Sequence, residues 1–421
     1  MILGSNMYYF FGASQNCYAA LKFFGKENVL AVIDNNNRKV GALYEGIPII
    51  SFEKFLESWN GETVIITAFA MGKDVVRQLE DNGIKNYFEC PYMRTSFFTC
   101  REMIDMWNLA EYDSFAILGG NPISDTIAAE LGRIKQNCRF QMVSDNISEC
   151  GQKTDVIINM QEGLELTTPI NDCKKVINFW ADITCAIEDR YRNLLKYKDA
   201  YKGGKCFLIG NGPSLTSGDL DNIAEHHIHS FGCNKIYLMF PGTKWRPDYY
   251  VVVDDNTYRE SVRCIEKHSF TVFMRDLFGT EIKEGENINL FRAFDERYGE
   301  GYPNFSDDMS KGLYGGRTVM YEMLQIAAYM GFKEIYLLGV DFSWGEDGRA
   351  THFCSSYMDD NLVKDAMIYK EEQRHAYISA KKYADSHGIK IYNATRGGHL
   401  DVFERIELDK LFKNTGGGYT A

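Results

Sequence analysis

The sequence predicts an α/β protein built from two or three Rossmann-like parallel-sheet units. Three observations predict it. Apolar runs of four or five residues, rich in Val, Ile, Phe and Tyr, recur along the chain. Amphipathic segments of helical length separate them, and many of the runs end on Gly, Asp or Asn. This alternation is the signature of βαβ units, in which helices cover a parallel sheet. At 421 residues the chain exceeds one small core and has room for more than one domain.

The elements follow in order. Residues 8–12 form an apolar strand that stops at Gly12, and 14–24 carry a helical pattern. A second strand, 29–33, ends on Asp34. Residues 45–50 read as a short strand leading into a helix at 52–58, and 63–67 as a strand followed by a helix at 72–82. Strands at 115–118 and 140–143 flank a helix at 125–135, and 156–159 is one more strand. From 183 to 201 the chain turns charged and helical and closes on Gly203-Gly204, a helix stop. This stretch is expected to be a connecting helix. The expected domains are therefore 1–95, 96–200 and 201–421.

The last unit restarts the rhythm, with strands at 206–209, 228–233 and 249–253. A long helix at 318–330 precedes a strand at 335–338, and a helix at 369–387 precedes a final strand at 390–392. The Gly-rich tail after 411 is expected to fray.

Composition excludes several classes. The net charge of -12 disfavours a nucleic-acid backbone as partner, so an anionic ligand needs a local site of backbone N–H groups with a few cations. The 11 cysteines contain no C-x-x-C pair, which argues against zinc knuckles and thioredoxin-type redox chemistry and suits a reducing cytosol. The opening MILGSNMYYFFGASQ has neither a basic region nor a long apolar one, so no signal peptide is expected, and no run approaches the ~20 apolar residues of a membrane span. A cytoplasmic setting is expected, with any attachment to the inner membrane made through partners; an oligomer is compatible with everything read so far.

Candidate sites cluster after strands, where open α/β sheets hold ligands. In the N-terminal unit Gly12, Ser14 and Asp34 form a strand–turn–helix–strand–acid series with about 20 residues between turn and acid, although the loop lacks the G-x-G-x-x-G glycines. With Ala31-Val32-Ile33-Asp34-Asn35-Asn36, Gly41 and Gly46-Ile47-Pro48-Ile49, the first 90 residues or so resemble the N-terminal domain of bacterial sugar-modifying proteins, including sugar O-acyltransferases and nucleotide-sugar-handling enzymes. That resemblance implies a nucleotide-type pocket or a remnant used for assembly.

The sharpest signal is Gly210-Asn211-Gly212-Pro213-Ser214, directly after a buried-type strand. The glycines would allow close backbone approach to a ligand, Asn211 offers donor and acceptor, and Ser214 would cap the next helix. Asn234 follows the next strand, and Asp254-Asp255 the one after. Adjacent residues on extended chain point to opposite faces, so one of that acidic pair would line a pocket; an ordinary solvated turn explains Asp255 equally well. Gly316-Arg317-Thr318 opens a helix and forms an anion seat. Asp341 follows the strand at 335–338. His352 sits on a polar loop beyond it and is the candidate general base. Asn393 and Arg396 close the last strand.

From 205 to about 412 the chain resembles the MptE-like domain family, whose namesake is the archaeal 6-hydroxymethylpterin diphosphokinase. The stretches that carry it are 209–215, Gly316-Arg317-Thr318-Val319, Met330-Gly331-Phe332, Gly339-Val340-Asp341, His352-Phe353 and 391–398. Their order and spacing are also similar to bacterial sialyltransferases and flagellin-modifying nonulosonate transferases. The resemblance implies that Asn211, Ser214 and Asn234 contact the nucleotide, that Thr318 stands where those families have a Thr, and that His352 deprotonates the acceptor. Tyr357 is the candidate for a phosphate-binding tyrosine. Thr318-Val319-Met320 replaces Thr-Ser-Gly, a departure at the contact to the donor carboxylate.

The expected function is glycosyl transfer from a nucleotide-activated sugar, of nonulosonate type and CMP-linked, to a glycan or protein acceptor, with no cofactor required. The first alternative is diphosphate transfer from ATP to a hydroxymethylpterin. It would need Mg²⁺, for which Asp254 and Asp255 would be the ligands, with Asp341 as a third carboxylate. The second is a non-catalytic nucleotide-sugar binding protein.

Overall fold

The computed structural model describes residues 7–68, 72–89, 98–143, 154–167, 170, 173–276, 287–294, 303–343, 351–354, 357 and 367–413. Most of the Gly-rich tail and the side chain of Asp255 lie outside these residues. The chain divides into two compact units, Met1–Asp189 and Arg190–Ala421.

The first unit holds two sheets. Strands β1 (Tyr8–Phe11), β2 (Val29–Ile33), β3 (Leu43–Tyr44), β4 (Ile47–Ile50), β5 (Thr63–Ile66) and β6 (Tyr87–Glu89) stand in the order β3-β4-β2-β1-β5-β6. All neighbours are parallel except the β3–β4 hairpin. Helices α1 (Gln15–Phe24), α2 (Phe52–Ser58) and α3 (Gly72–Asp81) connect them, and α4 (Cys100–Met106) leads out. The apolar runs read as strands because both faces are covered: every residue of β1 is buried. A second sheet, β10-β9-β7-β8, is parallel throughout and contains β7 (Ser114–Leu118), β8 (Arg139–Val143), β9 (Val156–Asn159) and β10 (Lys175–Asn178). Helix α5 (Pro122–Ile134) crosses between β7 and β8. It begins with Pro122 at its first position and Asn121 as N-cap, whose side chain accepts from the Ser124 N–H.

The connecting helix is shorter than the sequence suggests. Helix α6 spans Phe179–Arg190, then Tyr191 leaves helical geometry and a 3₁₀ turn covers Arg192–Tyr197. The break has a tertiary cause. Tyr191 is buried and donates to Asp276 Oδ2 at 2.8 Å, while the Arg190 guanidinium pairs with the same oxygen at 2.9 Å. A straight helix could not deliver consecutive residues to one carboxylate, since neighbours on a helix point about 100° apart.

The second unit is one eight-stranded parallel sheet in the order β15-β14-β13-β12-β11-β18-β19-β20. Its strands are β11 (Lys205–Ile209), β12 (His229–Cys233), β13 (Tyr249–Val252), β14 (Thr271–Arg275), β15 (Ile288–Phe291), β18 (Glu334–Leu338), β19 (Lys390–Asn393) and β20 (Glu404–Arg405). The two-residue strands β16 (Ala293–Phe294) and β17 (Leu313–Tyr314) pair apart from it. Helices α7 (Ser217–Glu225), α8 (Asp255–Lys267), α9 (Val319–Tyr329), α10 (Lys370–Ser386) and α11 (Leu408–Lys413) complete the unit. Helix α9 is buried nearly all round, which is why its stretch looks apolar without a polar stripe. From β11 the chain winds outward through β12 to β15, then returns to add β18 on the other flank of β11. The order therefore reverses between β11 and β18, and at such a switch point the loops leaving the two strands part to form a crevice.

Candidate functional site

A cleft of about 150 Å³ opens at that switch point, between the loops that leave the two strands. Its walls come from five places. The loop after β11 gives Gly210, Asn211 and Gly212, and the end of β12 gives Cys233 and Asn234. The loop after β18 gives Gly339 to Ser343, followed by Thr351, His352 and Tyr357. The start of α9 gives Thr318 to Met320, and α10 gives Gln373 and Tyr377.

The Gly-Asn-Gly turn is built for loop packing. A Cβ on Gly210 would sit 2.4 Å from the Gly339 carbonyl oxygen, and one on Gly212 would sit 1.9 Å from Asp341 Oδ2. The glycines therefore let two loops cross, and both also line the cleft. Gly212 N–H donates to the Gly339 carbonyl at 2.8 Å and closes the crossing. Ser214 does not cap a helix. Its hydroxyl donates to Asp341 Oδ2 at 2.8 Å, and α7 is capped by Thr216 in a capping box with Asp219. Burial pushes the Asp341 carboxyl above its ordinary range, and the Ser214 bond works against that rise.

Asn211 sits at the floor. Its amide nitrogen donates to the Cys233 carbonyl at 3.2 Å. A carbonyl can only accept, so this contact fixes the amide orientation and turns Oδ1 away. That Oδ1 is buried and has no protein partner, and the same holds for Asn234 Oδ1. Asn234 is held in the left-handed region, φ 49°, and its carbonyl accepts from the Tyr250 hydroxyl. Arg317 (φ 56°) and Phe342 (φ 52°) share this unusual backbone region, so three such non-glycine residues flank or line one cleft. Backbone strain of this kind costs of order 1–3 kcal/mol per residue and gathers where function over-determines the geometry.

Thr318 is the N-cap of α9, its hydroxyl accepting from the Met320 N–H at 3.4 Å. Beneath it, Tyr377 is fully buried and hydrogen-bonded to the Thr318 side chain. One turn further along α9, Glu322 is buried with Oε2 unpartnered. Burial pushes its carboxyl up to about 7, with Arg275 nearby pulling the other way.

His352 faces the cleft with its ring stacked on Tyr357, centroids 4.0 Å apart and planes 9° apart. Nδ1 lies 3.0 Å from Thr351 Oγ1. Burial first, and the Lys235 cation second, push the imidazole down to about 4, so it is neutral at pH 7.

Other expected residues stand elsewhere. Pro213 and Gly316 support the wall without lining it; a Cβ on Gly316 would meet the Tyr321 side chain at 2.5 Å. Asp254 is exposed and caps α8, accepting from the Thr257 N–H at 2.8 Å. Asn393 is fully buried, with its amide engaged by the Leu400 carbonyl and the Thr395 N–H. Arg396 is exposed and pairs with Asp219 at 2.7 Å and Asp409 at 3.5 Å. Among the described residues no three His, Cys, Asp or Glu side chains gather as a metal-ligand set.

In the first unit, Asp34 closes its own turn. It accepts from the Ala13 N–H at 2.9 Å, the Asn36 N–H at 2.8 Å and Lys39 Nζ at 3.0 Å. Ser14 donates to the Thr67 carbonyl, and Gly12 (φ 114°) packs so tightly on Ala68 that a Cβ would lie 2.7 Å from its backbone.

Sequence reasoning missed Lys235, Gln373, Tyr377 and Glu322. The last three sit inside helices, where a lone polar residue or tyrosine reads as ordinary core or surface. Only Glu322, a carboxyl early in a largely apolar helix, left a signal.

Comparison with known proteins bears on the second unit. Residues 178–347 match the model of the family described as 6-hydroxymethylpterin diphosphokinase MptE-like, the family that the 209–215 and 339–341 motifs resemble. The match ends before Thr351, His352 and Asn393. No curated protein matches the chain. Among solved structures, the MAf glycosyltransferase from Magnetospirillum magneticum AMB-1 aligns at 12% identity over 82% of this chain, with a TM-score of 0.32. The chain spans 57% of that protein's chain. Among the described residues, no helix is long and apolar enough to cross a membrane.

Proposed function

We propose that the second unit binds a nucleotide-activated sugar in the switch-point cleft and transfers the sugar to an acceptor hydroxyl, with His352 as general base. The observation that carries the reading is the pair of buried, unpartnered amide oxygens, Asn211 Oδ1 and Asn234 Oδ1. A buried acceptor left unmatched costs about 1–3 kcal/mol, so two such oxygens on residues that line one cleft support a bound ligand or ordered water that brings the donors. A base amino group and ribose or sugar hydroxyls supply them. The α9 N-terminus at Thr318 adds backbone N–H groups suited to the phosphate of the leaving nucleotide.

In the reaction, the acceptor oxygen attacks the anomeric carbon as the bond from that carbon to the phosphate oxygen breaks. The nucleotide leaves with the electron pair. The acceptor proton passes to His352 Nε2, which holds a lone pair in the tautomer whose Nδ1–H donates to Thr351 Oγ1. A neutral imidazole at pH 7 is what a base requires. The donor is proposed to be a CMP-linked nonulosonate and the acceptor a glycan or protein. No cofactor is needed for this chemistry. The protein is proposed to work in the cytoplasm, reaching the inner membrane through partners.

The family description favours a second reading, diphosphate transfer from ATP with Mg²⁺. Thermal shift with CMP, UDP, GDP and ATP, each with and without Mg²⁺, separates the two, because a ligand that binds only the native state raises its melting point. A metal-independent shift with CMP that is lost in Asn211→Ala supports glycosyl transfer. A shift seen only with ATP and Mg²⁺ replaces it with the diphosphokinase.

A further inference from the structure

Lys235 is not among the residues that line the cleft, yet it ties together the parts that hold His352. It directly follows Asn234 at the exit of β12. Its ammonium donates to the Tyr357 carbonyl at 2.8 Å and lies 5.7 Å from the centre of the Tyr357 ring. On its other side it pairs with Glu260 of α8 at 2.7 Å, and its side chain is only 23% exposed. Tyr357 is almost fully buried, and its opposite role is to carry the His352 imidazole in face-to-face contact. Among the described residues of the His352 segment, Phe353 N–H donates to the Asn211 carbonyl at 3.1 Å, and Tyr357 N–H to the Cys354 carbonyl at 3.3 Å. An ammonium bound at once to a carbonyl, a ring and a carboxylate is a built contact. An idle surface lysine would keep its head in water.

We propose that Lys235 is a positioning residue for His352, acting through Tyr357: it fixes the tyrosine platform on which the imidazole rests. The inference rests on the reading of His352 as the base. Three consequences follow. The platform covers one face of the imidazole, which restricts the directions open to proton transfer. The cation works with burial to keep the ring neutral. The link from Asn234 through Lys235 to Tyr357 also joins the ligand-binding end of β12 to the base, so ligand contact and base position are coupled through adjacent residues. Among the described residues, the other titratable or charged groups facing this cluster include Asp341 after β18, Cys233 on β12, Tyr250 on β13, Tyr377 on α10, and Asp254 at the start and Glu260 within α8. Burial pushes the Cys233 thiol up to about 12 and holds Tyr377 above its ordinary range, so both stay neutral near pH 7, and Lys235 is a cation close to the ring.

The test is a histidine NMR titration of the full chain, with the His352 signals assigned by their loss in His352→Gln. In the wild type, stacking on Tyr357 moves the His352 ring protons upfield, and they do not titrate above about pH 5. Lys235→Met is expected to lose the upfield displacement and raise the midpoint. Lys235→Arg is expected to keep both. Glu260→Gln, a change at an exposed site, is expected to lower the midpoint further by leaving the cation unbalanced. If Lys235→Met folds and leaves both the upfield signals and the midpoint unchanged, the inference is overturned. If Lys235→Met does not fold, an unmoved midpoint in Glu260→Gln overturns it instead. Failure of the base reading looks different: His352→Gln would keep full turnover while Lys235→Met still moved the titration.

Discussion

Asn211 shows how much one side chain can state. Its amide nitrogen is committed to a carbonyl, so its oxygen is an acceptor by necessity, buried and unmatched. Asn211→Ala is expected to weaken nucleotide affinity about 10-fold or more, at roughly 1–3 kcal/mol for the lost bond, while the melting temperature of the free protein holds or rises. Isothermal titration against the nucleotide found by thermal shift measures the first, and a melt of the free protein the second. A fall in both would make Asn211 a structural residue.

Glu322 makes a different prediction. Its carboxyl is raised in the fold from its ordinary 4.5 to about 7. The folded state therefore holds the proton over a range where the unfolded chain has released it. The stabilisation from that proton is fully present below about pH 4.5 and is lost as pH rises through 7. Gln keeps the shape and never ionises. Glu322→Gln should gain stability relative to wild type between pH 5 and pH 8.5, by about 3 kcal/mol at 1.36 kcal/mol per unit. Urea midpoints at the two pH values measure it, and a difference independent of pH would reject the assignment of a protonated carboxyl.

At the scale of elements, the loops leaving β11 and β18 interlock at glycines, so Gly212 has no room for a side chain. Gly212→Ala should cost about 1–3 kcal/mol, since the Cβ would drive into Asp341 and break its bond with Ser214. Denaturant unfolding reads the loss, and a neutral result would mean the two loops part easily. The strands and the α9 start were legible because apolar runs and a Gly-x-Thr entry are local signals. The role of the loop glycines was not, because Gly339 and Asp341 lie far along the chain from Gly210 and Gly212. The same holds for the break after α6. Nothing between 179 and 201 announces it, since its cause is the Asp276 carboxylate at the end of β14.

At the scale of the whole molecule, the chain divides between Asp189 and Arg190 into two compact units, and each holds its own sheets. Among the described residues, those that line the cleft belong to the second unit. Residues 190–421 expressed separately are therefore expected to unfold cooperatively and to keep the nucleotide-induced shift in melting temperature. Loss of the shift in a folded fragment would mean that the first unit completes the site.

The sequence by itself determined the α/β class, the strands that leave Asn211, Asn234 and Asp341 at one sheet edge, and the resemblance that the family match upheld. Those features are written in short-range periodicity and in residues next to one another. Tertiary structure decided which candidates meet. It drew Thr318, Tyr357 and His352 to the switch point, turned Asp254, Asn393 and Arg396 to caps, turns and ion pairs, and closed Asp34 on its own loop. The physical reason is that a polar group's role depends on what is left unsatisfied once the chain has packed. A sequence lists donors and acceptors, and only the folded chain shows which of them remain without a partner.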